Sequence, residues 1–433
     1  MTVMASDEQP GSTLRRALGW PAVAAYGLGA ILGAGIYSVI GAAAAVAGEG
    51  MWLAFASSAV VALITALSYA ELATMFPRAG AEFLYVRHAL PRRRALPFTV
   101  GAMMAVAAAA TSATVSLAFG GYLAAIVNAP SQLAAPLLIV VLTLVALLGV
   151  KEATWMVAVF TCIETAGLII VIVVGATHPG FGDAFVAVPD ANVFAGAALV
   201  FFSYLGFENI ANLAEETRQP ERNLPRAILV SLAISTLLYV LVAVSAVALL
   251  PVDELARTQA PLADAVRHRS PALANALGGI ALFATANTAM AAIVSGSRIV
   301  YAMARAGELP AILARVSRRR SIPTAATVLV ALAALLLLPL GTVAVVASVS
   351  SFASLLAFTA VNTALVILRM RDPGHPRPFR VPLSIRRVPL LPIAGAGSAL
   401  FLVVQLPPDV LAAGCVLVLA VIAVYVLVRL TRR

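Results

Sequence analysis

Apolar runs long enough to cross a bilayer, about 20 residues each, alternate along the chain with short polar connections. They lie near 20–46, 52–75, 96–127, 133–150, 154–176, 192–215, 226–250, 276–304, 324–340, 343–368, 389–406 and 409–429. The pattern predicts an all-α integral membrane protein with twelve transmembrane helices. Two runs are interrupted by small or polar residues: Gly33-Ala34-Gly35 within 22–46, and Leu205-Gly206-Phe207-Glu208 within 193–214. A spanning helix that breaks in mid-membrane frees amides and carbonyls that hydrocarbon cannot satisfy. Such breaks persist only where they are buried in protein or line a polar cavity. The pair therefore reads as a binding site.

The breaks fall in spans one and six, so each opens a block of five helices. Five is odd, and the two blocks would lie in the membrane with opposite topology. Inverted repeats with broken helices at corresponding positions are the pattern of secondary transporters, which hold substrate near the midplane between the halves. The implied divisions are a cytoplasmic N-terminal tail over 1–19, repeats over 20–176 and 190–370, and two additional helices over 388–430. The alternative is that the glycines form small-residue packing faces, since Gly29 and Gly33 have the small-x-x-x-small spacing.

Composition agrees with a lipid solvent: 62% of residues are hydrophobic and 11% charged, against about 25% charged in soluble domains. If the N-terminus is cytoplasmic, 26 of the 29 Lys and Arg residues fall inside, leaving only Arg257, Arg267 and Arg269 outside. The positive-inside rule then places both termini in the cytoplasm of a multi-pass cell-membrane protein. The net charge of +10 is explained by basic residues facing anionic inner-leaflet lipid, so no nucleic-acid partner is inferred.

Several chemistries have no residues to support them. The only lysine, Lys151, follows Gly149-Val150 and cannot belong to a phosphate-binding loop. Cys162 and Cys415 sit in separate apolar runs, and the four histidines lack metal-ligand spacing. The longest polar connection, about 251–275, has no room for a catalytic domain. The first residues, MTVMASDEQPGST, read as a flexible tail rather than a signal peptide. No enzyme activity, cofactor or metal is expected, and nothing in the sequence fixes an oligomeric state.

The run "YGLGAILGAGIYSVIGAAAAVAG" resembles the first span of the amino acid-polyamine-organocation transporters, whose signature is a G-[small]-G unwound segment followed by an aliphatic and an aromatic residue, here Ile36 and Tyr37. Further similar blocks follow in order: "YAELATMFPRAGAEFLYVRHAL", "FFSYLGFENIANLAEETRQPERNLPRAI", "GSRIVYAMARAGELP" and "VNTALVILRMRDPGHPRPFRVPL". Together they cover most of 20–385. The resemblance implies a LeuT-like fold, a five-plus-five inverted repeat with two C-terminal helices, and amino acids or related amines as substrates. It points to amino acid permeases working by proton symport, with amine exchange or polyamine transport as the alternative.

Amides unpaired at a helix N-terminus attract a carboxylate, and Gly33, Ala34 and Gly35 would supply them. Carbonyls unpaired at the end of the preceding half-helix attract an ammonium. By resemblance these belong to Ile31, Phe202, Ser203 and Leu205, while the Phe202, Tyr204 and Phe207 rings could close over the ligand. Met103, Met104 and Ser350, also candidates to face the pocket, are apolar or small and favour a neutral substrate side chain.

Two acids stand out for coupling. Glu164 lies near the middle of span five, where a charge costs about 2.5–3.5 kcal/mol on insertion scales. Several proton-coupled family members carry a lysine there, in place of a sodium ion between spans one, five and eight. Glu164 could carry the proton itself, help hold a cation, or stay protonated as a helix-packing donor. Glu208 sits in the second break, placed for substrate-linked protonation, contact with a cationic side chain, or capping of the second half-helix. Thr285, Asn287 and Thr288 are polar groups near the expected cation position, although helix hydroxyls often bond their own backbone. Glu71, Glu215 and Glu216 fall at cytoplasmic helix ends and are expected to be structural.

Overall fold

The computed structural model describes residues 18–77, 80–127, 131–148, 154–186, 191–211, 213, 217–317 and 322–430. Helices make up nearly all of it. In order they are α1 (Trp20–Leu32), α2 (Ala34–Ala47), α3 (Met51–Met75), α4 (Ala81–Ala89), α5 (Ala95–Val127), α6 (Ser131–Leu148), α7 (Thr154–Ala176), α8 (Ala191–Val200) and α9 (Phe207–Ala211). There follow α10 (Pro220–Leu249), α11 (Val252–Arg257), α12 (Pro261–Arg267), α13 (Pro271–Arg305), α14 (Thr324–Leu337), α15 (Val343–Arg371), α16 (Leu390–Val404) and α17 (Pro408–Leu430). Between α15 and α16, β1 (Ser384–Ile385) and β2 (Val388–Pro389) form a small antiparallel hairpin.

Helix ends follow local chemistry. Pro271 opens α13 without needing an amide hydrogen, and the Ser270 hydroxyl accepts from Leu273 N at 3.3 Å. Thr342 caps α15 through Val345 N in the same way.

Among the described residues, eight helical segments are long and apolar enough to cross a membrane, and the chain is accordingly a membrane-embedded, all-helical protein. Twelve were expected. The difference has local causes. Trp20–Met75 counts as one segment, because α2 and α3 are joined only by the one-turn helix Gly48–Gly50. The apolar helices Leu133–Leu148, Thr324–Leu340 and Leu390–Val404 fall short of 18 residues.

The long helices α13 and α15 both pack on α5, and α4 and α14 lie against this group. Polar contacts join α3 to α15 inside the bundle: Ser68 donates to Asn362 Oδ1 at 2.6 Å, and Asn362 Nδ2 donates to Thr65 at 3.1 Å. At one end of the same pair, Arg369 forks onto Glu71, Nε reaching Oε1 at 2.9 Å and Nη2 bonding Oε2. Glu71 Oε2 also accepts from Val381 N at 2.8 Å, and Arg377 Nε lies 3.3 Å from Oε1. Glu71 is fully buried and Arg369 is 3% exposed, so the charges satisfy each other instead of water.

Candidate functional site

The first apolar run is two helices meeting at Gly33, whose backbone (φ −36°, ψ −143°) leaves the helical region. Gly33 N still donates to Gly29 O at 3.2 Å. Of the three amides expected to face a carboxylate, those of Ala34 and Gly35 therefore open the first turn of α2, while that of Gly33 closes α1. The second break runs from α8 through a 3-10 turn, Phe201–Tyr204, to Leu205 in extended backbone and Gly206 at φ +129°.

The two breaks are interlocked. A Cβ on Gly206 would lie 2.4 Å from the carbonyl oxygen of Ala30, in the last turn of α1, and a Cβ on Gly35 would lie 2.7 Å from Ser203 Cα. Each break thus presents a glycine to the other's backbone, an approach that only a residue without a Cβ allows. The packing alternative also has a basis, because Gly29 and Gly33 meet the Thr161 and Thr288 hydroxyls with equally little room.

Three of the carbonyls assigned to an ammonium already accept hydrogen bonds. Tyr239 of α10 directs its hydroxyl at Ile31 O, 2.5 Å away, and at Ser203 O, 3.0 Å away. Phe202 O accepts from Leu205 N at 3.2 Å, within the turn. The Ser203 hydroxyl is buried without a partner among the described residues. Phe202 is buried, and Phe207 packs between Tyr69 and Phe358 at centroid distances of 5.6 and 5.3 Å. The Tyr204 hydroxyl donates to Phe55 O, and its ring stacks edge-on against Tyr239, so it lies in the wall behind the break.

Glu164 is fully buried on α7, a helix that packs against α1 and α13. Asn287 of α13 approaches its Oε1 at 3.5 Å, and Oε2 has no partner among the described residues. Its backbone carbonyl accepts from the Tyr37 hydroxyl of α2 at 2.9 Å. The acid is therefore tied to both neighbours of the first break. Thr285 bonds back to Ala281 O and Leu282 O of its own helix, whereas Thr288 faces Gly33. Glu208 Oε2 accepts from Gly206 N at 2.8 Å, the capping geometry. Met103 and Met104 are buried in the core, and Ser350 bonds Ala107 O and Thr111. Glu71 pairs with Arg369, as above. Glu215, Glu216 and Lys151 lie outside the described residues. No cluster that could hold a metal occurs among the described residues.

Tyr239 is the residue that sequence reasoning missed. The available signal was a single phenol in the stretch "LLYVLVAV", since a polar group inside a spanning helix needs a partner on another helix. Removing its hydroxyl in Tyr239→Phe leaves the ring packing but unties α10 from both breaks. An isothermal titration with the best ligand is expected to show affinity changed about fivefold or more, the worth of one to two buried hydrogen bonds, with the far-UV circular dichroism unchanged.

Fold and site together define a class, a helical membrane protein built around paired helix breaks. The amino acid permease family profile matches residues 18–428, and the chain belongs to that family. An uncharacterized transporter of Mycobacterium tuberculosis is 32% identical over 425 residues, covering 97% of this chain and 93% of the relative. The branched-chain amino acid permease BcaP of Bacillus subtilis is 27% identical, with 91% and 89% covered. The vacuolar cationic amino acid transporter 2 of Arabidopsis thaliana is 32% identical over 86% of this chain and 62% of its own length.

Proposed function

We propose that this chain is a secondary active transporter of amino acids in the cell membrane, proton-coupled and working by alternating access. The observation that carries the reading is the interlocked pair of helix breaks, which puts helix-start amides and helix-end carbonyls side by side in the middle of the bundle. Counting α1–α2 and α3 as separate passes and adding the three shorter apolar helices gives twelve spans. These divide into repeats over 20–176 and 190–370 and the extra pair over 388–430. The charge distribution favours cytoplasmic termini.

In this reading the substrate carboxylate meets the amides at the start of α2. Its ammonium meets the carbonyls of Ile31, Phe202, Ser203 and Leu205, with Phe202 and Phe207 closing the apolar side. The family and the named relatives favour amino acids over polyamines, and the uncharged lining favours a neutral side chain. A thermal-shift screen against the protein amino acids and polyamines, followed by proteoliposome uptake with and without a proton gradient, tests this. Stabilisation by a diamine but by no amino acid would overturn the carboxylate assignment.

Glu164 serves as a proton carrier between spans one, five and eight, and Glu208 as a second titrating group. Glu164→Gln keeps the shape and a hydrogen-bonding carbonyl but cannot titrate. It is expected to bind substrate within about threefold of wild type while losing stimulation by an inward proton gradient. Gradient-driven accumulation retained in this variant moves the carrier role to Glu208, and a wild type driven by sodium alone removes it from both.

A further inference from the structure

At the second break Glu208 has a buried acidic neighbour, Glu82, that the transport reading above does not use. Glu82, in the first turn of α4, is 3% exposed, and Glu208 is 7% exposed. Tyr69 of α3 touches both neighbourhoods: its hydroxyl donates to Glu82 Oε1 at 3.0 Å, and its ring meets Phe207 edge-on at 5.6 Å. Phe207, the ring against Tyr69, directly precedes Glu208 in the chain, so Tyr69 borders both acids. The Tyr85 hydroxyl, fully buried and within reach of Glu82, has no hydrogen-bond partner among the described residues. The walls are aromatic, formed by Tyr69, Tyr85, Phe207 and Phe358.

No cation offsets this pair among the described residues. Arg369 of α15 is committed to Glu71, and Arg371 donates to Ala89 O. On α4 itself, Arg87 turns over the Phe83 ring, and His88 bonds Leu84 O and stacks on Phe76. Two buried carboxyls with no cation beside them disfavour being charged together. Burial independently pushes the Glu82 carboxyl up from its ordinary value, so it retains a proton until the pH rises past that raised value.

Resting on the proton-symport reading, we propose that Glu208, Tyr69 and Glu82 form a relay that carries the coupled proton from the second helix break to the loop helix α4, where Glu82 releases it. The transfer begins when the Glu208 carboxyl turns from Gly206 N toward Tyr69. The Tyr69 hydroxyl proton passes to Glu82 Oε1 while the phenol oxygen takes the proton of Glu208, leaving Glu208 ionised, Tyr69 neutral and Glu82 protonated. Glu82 then gives its proton to water on the side of Arg87, Arg92, Arg93 and Arg94, which is the cytoplasm in the proposed orientation. Glu82 is the proton-release group of this route and Tyr69 its bridge.

Infrared pH titration of the purified protein reads the shared proton without any ligand. Glu82→Gln is expected to remove one protonated-carboxyl band, and Glu208→Gln to lower the titration midpoint of that band by about one unit or more. A midpoint unmoved by Glu208→Gln overturns the pair. In proteoliposomes loaded with an equimolar mixture of protein amino acids, Glu82→Gln and Tyr69→Phe are expected to exchange internal for external label within about twofold of wild type. Net uptake driven by an inward proton gradient falls about a hundredfold, with its dependence on internal pH flattened, and Glu82→Asp recovers part of it. Glutamine still accepts the Tyr69 hydrogen bond, and unchanged exchange certifies folding. Proton-driven wild-type uptake with an unaltered internal-pH profile in Glu82→Gln overturns the relay alone. Wild-type uptake indifferent to the gradient overturns the symport reading and the relay with it, while the infrared coupling of the pair remains measurable.

Discussion

Gly206→Val is expected to abolish transport. Gly206 holds φ at +129°, a region closed to side-chain-bearing residues at a cost of about 1–3 kcal/mol. That strain is the smaller part. The new Cβ would sit 2.4 Å from Ala30 O and 2.6 Å from Ala30 C, and these are backbone atoms with no rotamer to escape into. Relief requires prising the second break away from the end of α1, which separates the Ile31 and Ser203 carbonyls from each other. Initial uptake rates in proteoliposomes should fall to background, and Gly206→Ala should be nearly as severe. Gly279→Ala and Gly397→Ala are matched controls, since a Cβ at either position meets nothing within 4 Å. Uptake by Gly206→Val at a tenth of the wild-type rate or better would contradict the interlocked arrangement.

Arg369→Ala is expected to be the most destabilising single change. It leaves Glu71 buried, with the Val381 amide and the flank of Arg377 in place of a fork of two hydrogen bonds. Breaking a buried pair from one side costs about 3–5 kcal/mol, of which the remaining Arg377 contact at 3.3 Å offsets a part. It also frees the segment before the β1–β2 hairpin, since Arg369 donates to Ser384 at 2.6 Å and to Val381 O at 3.0 Å. The apparent unfolding temperature in detergent should drop sharply. The double change Glu71→Gln with Arg369→Met should recover much of the loss, because removing both charges removes the desolvation cost as well. Equal damage from the single and double changes would mean that the side chains matter for shape rather than charge.

The sequence was most informative where backbone chemistry is local. Glycines inside apolar runs marked the points at which the chain leaves the helix, Gly33 and Gly206, and at Gly206 the positive φ requires the missing Cβ. Membrane embedding was readable for the same reason, since run length and apolarity are properties of a single segment. What stayed hidden depends on which faces meet. Tyr239 reaches Ile31 across 208 positions of sequence, and Arg369 reaches Glu71 across 298. A helix apolar all round carries no stripe to say which neighbour it faces, so those pairings could not be drawn from periodicity. Glu82 was hidden differently: it stands in a polar loop block beside several arginines, and the packing of α4 onto α5 and α15, with Tyr69 of α3 against it, buries it.

The Tyr239 hydroxyl bears one hydrogen but stands before two carbonyl oxygens. At any instant its hydrogen points at either Ile31 or Ser203. An ammonium group brings three hydrogens to the same pair of acceptors. In the proposed reading a ligand amine would meet both acceptors at once, and a carboxylate alone would not. Selectivity for amines would then begin at these two backbone acceptors, before any side-chain pocket has read the rest of the substrate.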